Sequence, residues 1–146
     1  MNNQSSKPVG YSGTPLIQKL GIKPSCRAAF LNAPDDFAKT LGPLPEGVKP
    51  LLSIGKSKDL EFIIIFTKSR VKLEKTLPQL GKSIQQAGMI WVAWPKRASG
   101  VATDLDENII RDTGLAINLV DVKVCAIDAT WSGLKFVIPV KLRTTN

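Results

Sequence analysis

GMIWVAWPKRASGVATDLDENIIR, residues 88–111, passes from a hydrophobic strand through a polar turn into the start of a helix. Residues 89–94 are almost wholly apolar, too few for an ordinary helix and rich in sheet-favouring types. That is the pattern of a strand covered on both faces, as in a parallel sheet flanked by helices. Pro95 lacks a backbone donor and predicts the end of the ladder. Lys96, Arg97, Ser99, Gly100 and Thr103 make a turn, and Asp104 with Glu107 three residues on has the spacing of an N-cap and its partner, which predicts a helix start. In open α/β sheets the ligand crevice lies beyond the carboxyl ends of the strands, so a site is expected near residues 96–104.

Working outward, residues 60–67, LEFIIIFT, form the most apolar strand pattern in the chain and belong at the centre of the sheet. Ser69 can cap the following helical segment, whose Leu73, Leu77, Leu80 and Ile84 share a sheet-facing side, leaving Lys68, Arg70, Lys72, Lys75 and Lys82 to solvent. Pro78 predicts a break into two helical pieces. Upstream, Thr14-Pro15 reads as an N-cap with proline in the first helical position, and Gly21 stops that short helix. Residues 27–31 read as the first strand, Asp35-Asp36-Phe37 opens a second short helix ending near Gly42, and residues 48–54 are a weaker edge strand because of Pro50. Downstream, Leu105, Ile109 and Ile110 form the buried side of a helix with Gly114 as its C-cap. Residues 119–127 and 134–140 are strands joined by DATWSG, a link so short that the two must pair antiparallel.

The succession predicts a Rossmann-like three-layer α/β sandwich: a mainly parallel sheet, helices on both faces, and an antiparallel C-terminal hairpin. Residues 1–10 read as a polar, mobile tail and residues 11–146 as a single domain.

Composition limits the chemistry. The chain has 146 residues, 43% hydrophobic and 22% charged, enough for one domain with a core. No apolar run approaches the roughly 20 residues that cross a bilayer, and the polar N-terminus lacks the apolar centre of a signal peptide, so a cytoplasmic protein without membrane contact is expected. There is no histidine. That excludes Ser-His and Cys-His nucleophile pairs and histidine-bound zinc. Cys26 and Cys125 have no partners at metal-ligand spacing and read as small buried apolar groups. No metal is expected. The formal charge of +8 favours anionic partners. Its scattered distribution and the single tyrosine speak against nucleic acid, which remains an alternative partner beside an anionic small molecule or a protein.

Three long blocks carry a resemblance: YSGTPLIQKLGIK at 11–23, WPKRASGVATDL at 94–105 and VDVKVCAIDATWSGLKFV at 120–137. Over nearly the whole chain they resemble an uncharacterised bacterial family of single-domain proteins, a domain of unknown function, which brings no activity with it. The order of elements is also similar to the second half of a Rossmann-like methyltransferase, a family that uses S-adenosylmethionine. The glycine-rich loop which that family places after its first strand is absent, the position reading Asn32-Ala33-Pro34-Asp35-Asp36. Residues 51–55 also lack the acid that would hold the ribose hydroxyls. The resemblance implies a degenerate methyltransferase-like scaffold.

Eight residues are candidate ligand contacts. Lys96, at the end of a central strand, would hold a phosphate or carboxylate, with Ser99 and Thr103 adding hydroxyls and Asp104 beside them; the alternative is a solvated turn residue next to a helix cap. Asp128, Trp131 and Lys135 would form a rim around the hairpin, with the Trp131 ring as a flat face, or else Trp131 plugs the sheet end. Asn32 stands at the end of the first strand. Trp91 and Trp94 read as core, and Arg111 as an ion-pair partner of Asp104 or Glu107. Three functions are compatible with this pattern: a non-catalytic binding or regulatory domain, an enzyme using S-adenosylmethionine or a nucleotide at a non-standard site, and a nucleic-acid-associated protein.

Overall fold

The computed structural model describes residues 13–144. The expected N-terminal tail lies outside them. Five strands form one mixed sheet in the order β1-β2-β3-β5-β4: β1 (Ala28–Leu31), β2 (Leu60–Phe66), β3 (Ile84–Pro95), β4 (Val120–Ala126) and β5 (Trp131–Val137). β1, β2 and β3 pair parallel, and β5 pairs antiparallel with both β3 and β4. β4 therefore runs parallel to the first three strands, and β5 is threaded between it and β3. The expected fold class is the observed one, although the antiparallel strand is interior and a parallel one is the edge.

Alternating residues of the central strands feed two cores. On one face Ile63, Ile65, Ile90 and Val92 pack against α3 (Arg70–Gly81) and α4 (Glu107–Leu115). On the other, Phe62, Ile64, Trp91 and Ala93 pack against α1 (Leu16–Leu20) and α2 (Phe37–Leu41). β2 and β3 from Ile90 on are buried on both faces, which is why they read as continuous apolar runs. The Trp91 indole, fully buried, donates to the Leu20 carbonyl at 2.8 Å and fastens α1 to the sheet.

Several local expectations are corrected. Helix α3 is continuous through Pro78. The proline stands in its last turn, where it forfeits one ladder bond, and the buried Leu73, Leu77 and Leu80 hold both sides of it on the sheet. Residues 48–54 form no strand but one parallel bridge, Leu51 to Ala29. Their path wraps the β1 edge, with Val48 in one core and Ile54 against the other. Pro15 occupies the cap position of α1, its carbonyl accepting from Gln18 and Lys19 at 3.0 Å. Cys26 lies just before β1. β5 begins at Trp131, so Trp131, Ser132 and Gly133 are strand residues paired with Pro95, Trp94 and Ala93.

Gly114 is not a C-cap. It lies inside α4, and a Cβ there would fall 2.2 Å from the Phe136 ring, so the glycine is the space into which that ring packs. The helix is closed by Asn118, which takes a left-handed φ of 67°. Gly88 has a similar steric role: a Cβ would meet the Leu60 carbonyl at 2.8 Å, beside the register shift between β2 and β3.

Candidate functional site at the carboxyl ends of the strands

β1 to β4 end on one side of the sheet, so the connections that follow them share that edge. The connection after β3 is the longest of those there, and hydrogen bonds tie it to both neighbours. The Lys96 amide donates to the Thr130 carbonyl at 2.8 Å, joining it to the hairpin turn. The Thr103 hydroxyl donates to the Lys68 carbonyl at 2.7 Å and accepts from the Leu105 amide at 3.1 Å, joining it to the connection after β2.

Asp104 does not cap the helix that follows it. Its Oδ1 accepts from the amide of Arg70, the first residue of α3, at 2.8 Å, while Asp106 caps α4 through the Ile109 amide at 2.8 Å. Both aspartates precede the same apolar run, and the spacing of Asp104 to Glu107 fits a capping box. Glu107 instead turns to Arg111, which also holds Asp121 of β4 at 2.8 Å. These carboxylates raise the Arg111 guanidinium above its ordinary value, the Asp121 hydrogen bond first and then that of Glu107. Arg111 thus locks α4 to β4.

The remaining candidates divide. Ser99 ends a 3-10 turn, its hydroxyl donating to the Lys96 carbonyl at 2.7 Å and accepting from the Val101 amide at 3.1 Å. Asp128 Oδ1 accepts from the Thr130 and Trp131 amides at 2.8 Å each and shapes the hairpin turn. Trp131 is half-buried, its ring edge-on to Phe66 at 5.1 Å. Asn32 is exposed in the left-handed region, φ 57°, two strands away from Lys96. Lys135 is not at this edge: it lies within β5, opposite Trp91.

Beneath the turn is a groove of about 390 Å³, with Trp94, Pro95 and Leu105 among its apolar walls and Arg97, Asp104 and Asp106 as its charged lining. Arg97 and Asp106 were not singled out from the sequence. Asp106 was legible as a second aspartate two residues beyond the first, but only the path of the turn places both on one groove. With one guanidinium and two carboxylates, the groove has no excess of positive charge for an anion. Cys26 and Cys125 are buried, and burial pushes both thiols up, so neither is an activated nucleophile. Among the described residues no group of three or more His, Cys, Asp or Glu is placed to hold a metal ion, and no helix is long and apolar enough to cross a membrane.

This fold recurs in solved structures. The chain is similar to a SAM-dependent methyltransferase from Aquifex aeolicus, with a TM-score of 0.61 and 12% identity over 84% of this chain and 87% of that one. The fold is methyltransferase-like. Fibrillarin from Aeropyrum pernix, with natively bound S-adenosyl-L-methionine, matches at a TM-score of 0.52 and 14% identity, covering 84% of this chain and 72% of that one. Magnesium protoporphyrin IX methyltransferase from Synechocystis, with bound SAM, matches at 0.53 and 9%, covering 88% and 74%. No protein-family model matches the chain, and no curated protein matches it in sequence.

S-adenosylmethionine is the group this fold implies, and the residues present do not fit it. The turn after β1 is Asn32-Ala33-Pro34, with side chains where a glycine-rich loop would bring backbone to the ligand. Phe37 of α2 packs edge-on between Phe30 of β1 at 5.5 Å and Phe66 of β2 at 4.9 Å. Together with Trp131 these rings fill the layer over the carboxyl ends of β1 and β2 on that face. Leu51, beside β1, is followed by Leu52, Ser53, Ile54 and Gly55, which offer no carboxylate to a ribose.

Proposed function

We propose that this chain is a non-catalytic binding or regulatory domain on a methyltransferase-like scaffold, recognising an anionic small molecule or a protein partner, and that it belongs with the bacterial single-domain proteins whose sequence blocks it resembles. One observation carries the reading: four polar side chains at the carboxyl edge are engaged by the backbone of their own loop or of the adjacent one. Ser99, Thr103, Asp104 and Asp128 each hold a neighbouring carbonyl or amide, so none is poised as a general base. The chain has no histidine to take that role.

The test is methyl transfer from labelled S-adenosylmethionine to cell-extract substrates by the purified protein, with thermal unfolding alongside. The expected result is no transfer and no rise in midpoint with S-adenosylmethionine or S-adenosylhomocysteine. A ligand held only by the folded state adds about 2.7 kcal/mol at a hundredfold excess over its dissociation constant, a shift easily read. Methyl transfer, or an adenosyl-dependent shift lost in Lys96→Ala, would overturn the proposal in favour of an enzyme.

A further inference from the structure

We infer that the α1 face of the sheet carries an anion site, built from Lys19, Lys123 and Lys135, that takes the phosphate group of a phosphorylated small molecule. The inference rests on the binding-domain reading and names its ligand class and place.

Lys123 of β4 and Lys135 of β5 are direct cross-strand partners, so their side chains leave the same face of the sheet. Like charges so placed destabilise a ladder. Lys123 by itself has an ordinary explanation, because a lysine on an edge strand deters the addition of another strand. Lys135 has none. It stands on an interior strand, half-buried, with Trp91 on one side and Lys123 on the other. Burial first, and the Lys123 charge second, push its ammonium below the ordinary lysine range.

Helix α1 brings a third cation. The Lys123 Nζ donates to the Lys19 carbonyl at 3.2 Å, and the Lys19 Nζ reaches the Ala126 carbonyl at 3.5 Å, drawing the two chains of methylenes to one spot above Cys125. Among the described residues no ion pair neutralises the group: the pairs are Arg27–Asp59, Arg70–Glu74, Arg111–Glu107 and Arg111–Asp121, none of which includes these lysines. Asp121 of β4 is held by Arg111, Asp128 is held by the turn amides, and neither α1 nor residues 1–12 contain an acidic residue.

Three ammonium groups with no carboxylate among them call for a multiply charged anion. Lysine is a point-charge binder of phosphate, which offers nearly two negative charges and three acceptor oxygens at neutral pH. The grouping on one strand pair and one short helix suits a single phosphate or diphosphate better than the extended stripe that tracks a polymer.

The test is thermal unfolding of the full chain with inorganic phosphate and inorganic pyrophosphate, against sodium chloride at matched ionic strength. Pyrophosphate is expected to raise the midpoint beyond the salt control. Lys123→Gln and Lys135→Gln are each expected to raise the midpoint without ligand, by removing repulsion, and to weaken pyrophosphate binding about tenfold. Lys123 is exposed, so its variant folds even if the Lys135 variant does not. A shift no larger than the chloride control, or one that persists in Lys123→Gln, overturns the site. Pelleting with vesicles of phosphatidylcholine and phosphatidic acid, without any pyrophosphate effect, overturns it in favour of a membrane surface. Either failure leaves the binding-domain reading to the methyl-transfer test, which uses none of these lysines.

Discussion

The carboxylate of Asp104, which precedes α4, accepts a hydrogen bond at 2.8 Å from the amide of Arg70, the first residue of α3. With Thr103 on the Lys68 carbonyl, it makes the turn after β3 a clamp on the helix that follows β2. Asp104→Ala is expected to cost about 1 kcal/mol in urea unfolding, as loss of a helix cap does, and to speed amide exchange at the start of α3 instead of α4. Faster exchange at α4 alone would contradict the clamp.

Gly114→Ala tests the packing of α4. Alanine is better than glycine in a helix by about 1 kcal/mol, so propensity alone predicts stabilisation. The Phe136 ring occupies the space of the new methyl, and net destabilisation of about 1–3 kcal/mol is expected. Phe136→Leu in the same chain should recover part of it; simple additivity of the two losses would speak against the contact.

Trp131→Ala removes the outer ring of the row Phe30, Phe37, Phe66, Trp131, whose neighbours all meet edge-to-face. A loss of about 2 kcal/mol is expected, less than for a fully buried tryptophan because the ring is only half-covered. An unchanged unfolding midpoint would show that the ring is not a structural plug.

Alkaline titration has a sign set by Lys135. Its folded pKa lies below the unfolded value, so between the two the unfolded chain binds more protons and this residue's contribution to stability rises with pH. Below that window its full destabilising effect is present. Its cross-strand partners are Lys123, the charged group that acts on it, and Trp91. Lys135→Met is therefore expected to be more stable than the parent at neutral pH, with the difference closing as pH rises towards the ordinary lysine range. A gap that widens with pH would refute the cause assigned here.

The thiols titrate in the opposite sense. Burial raises both, so the folded chain keeps protons that the unfolded chain releases, and their contribution falls as pH passes the ordinary thiol range. A disulfide reagent at mildly alkaline pH should label Cys26 and Cys125 slowly in the native protein and quickly in urea. Equal rates would place them at the surface.

Strands and helices are legible in the sequence where burial leaves a periodic trace. β2 and the second half of β3, from Ile90 on, are buried on both faces and read as apolar runs, and Leu73, Leu77 and Leu80 mark the sheet side of α3. The sequence is ambiguous where one residue type has two uses. Asp104 and Asp106 are both good caps, and choosing between them requires knowing that α3 begins beside the turn. Gly114 is as suitable for a helix end as for a tight contact, and the contact is made by Phe136, 22 residues on. The local cost of Pro78 is legible in the sequence and reads as a helix break; the packing that offsets it is not legible there.

The sequence by itself determined the α/β class, the apolar central strands, the C-terminal hairpin and the absence of histidine chemistry, because hydrophobic period and composition are local properties. Tertiary structure decided that β5 enters between β3 and β4, that the polar residues of the turn serve neighbouring backbone, and that Lys123, Lys135 and Lys19 gather on one face. Strand register and helix docking bring together residues as much as 116 positions apart, as from Lys19 to Lys135, and no local pattern records which of them will meet.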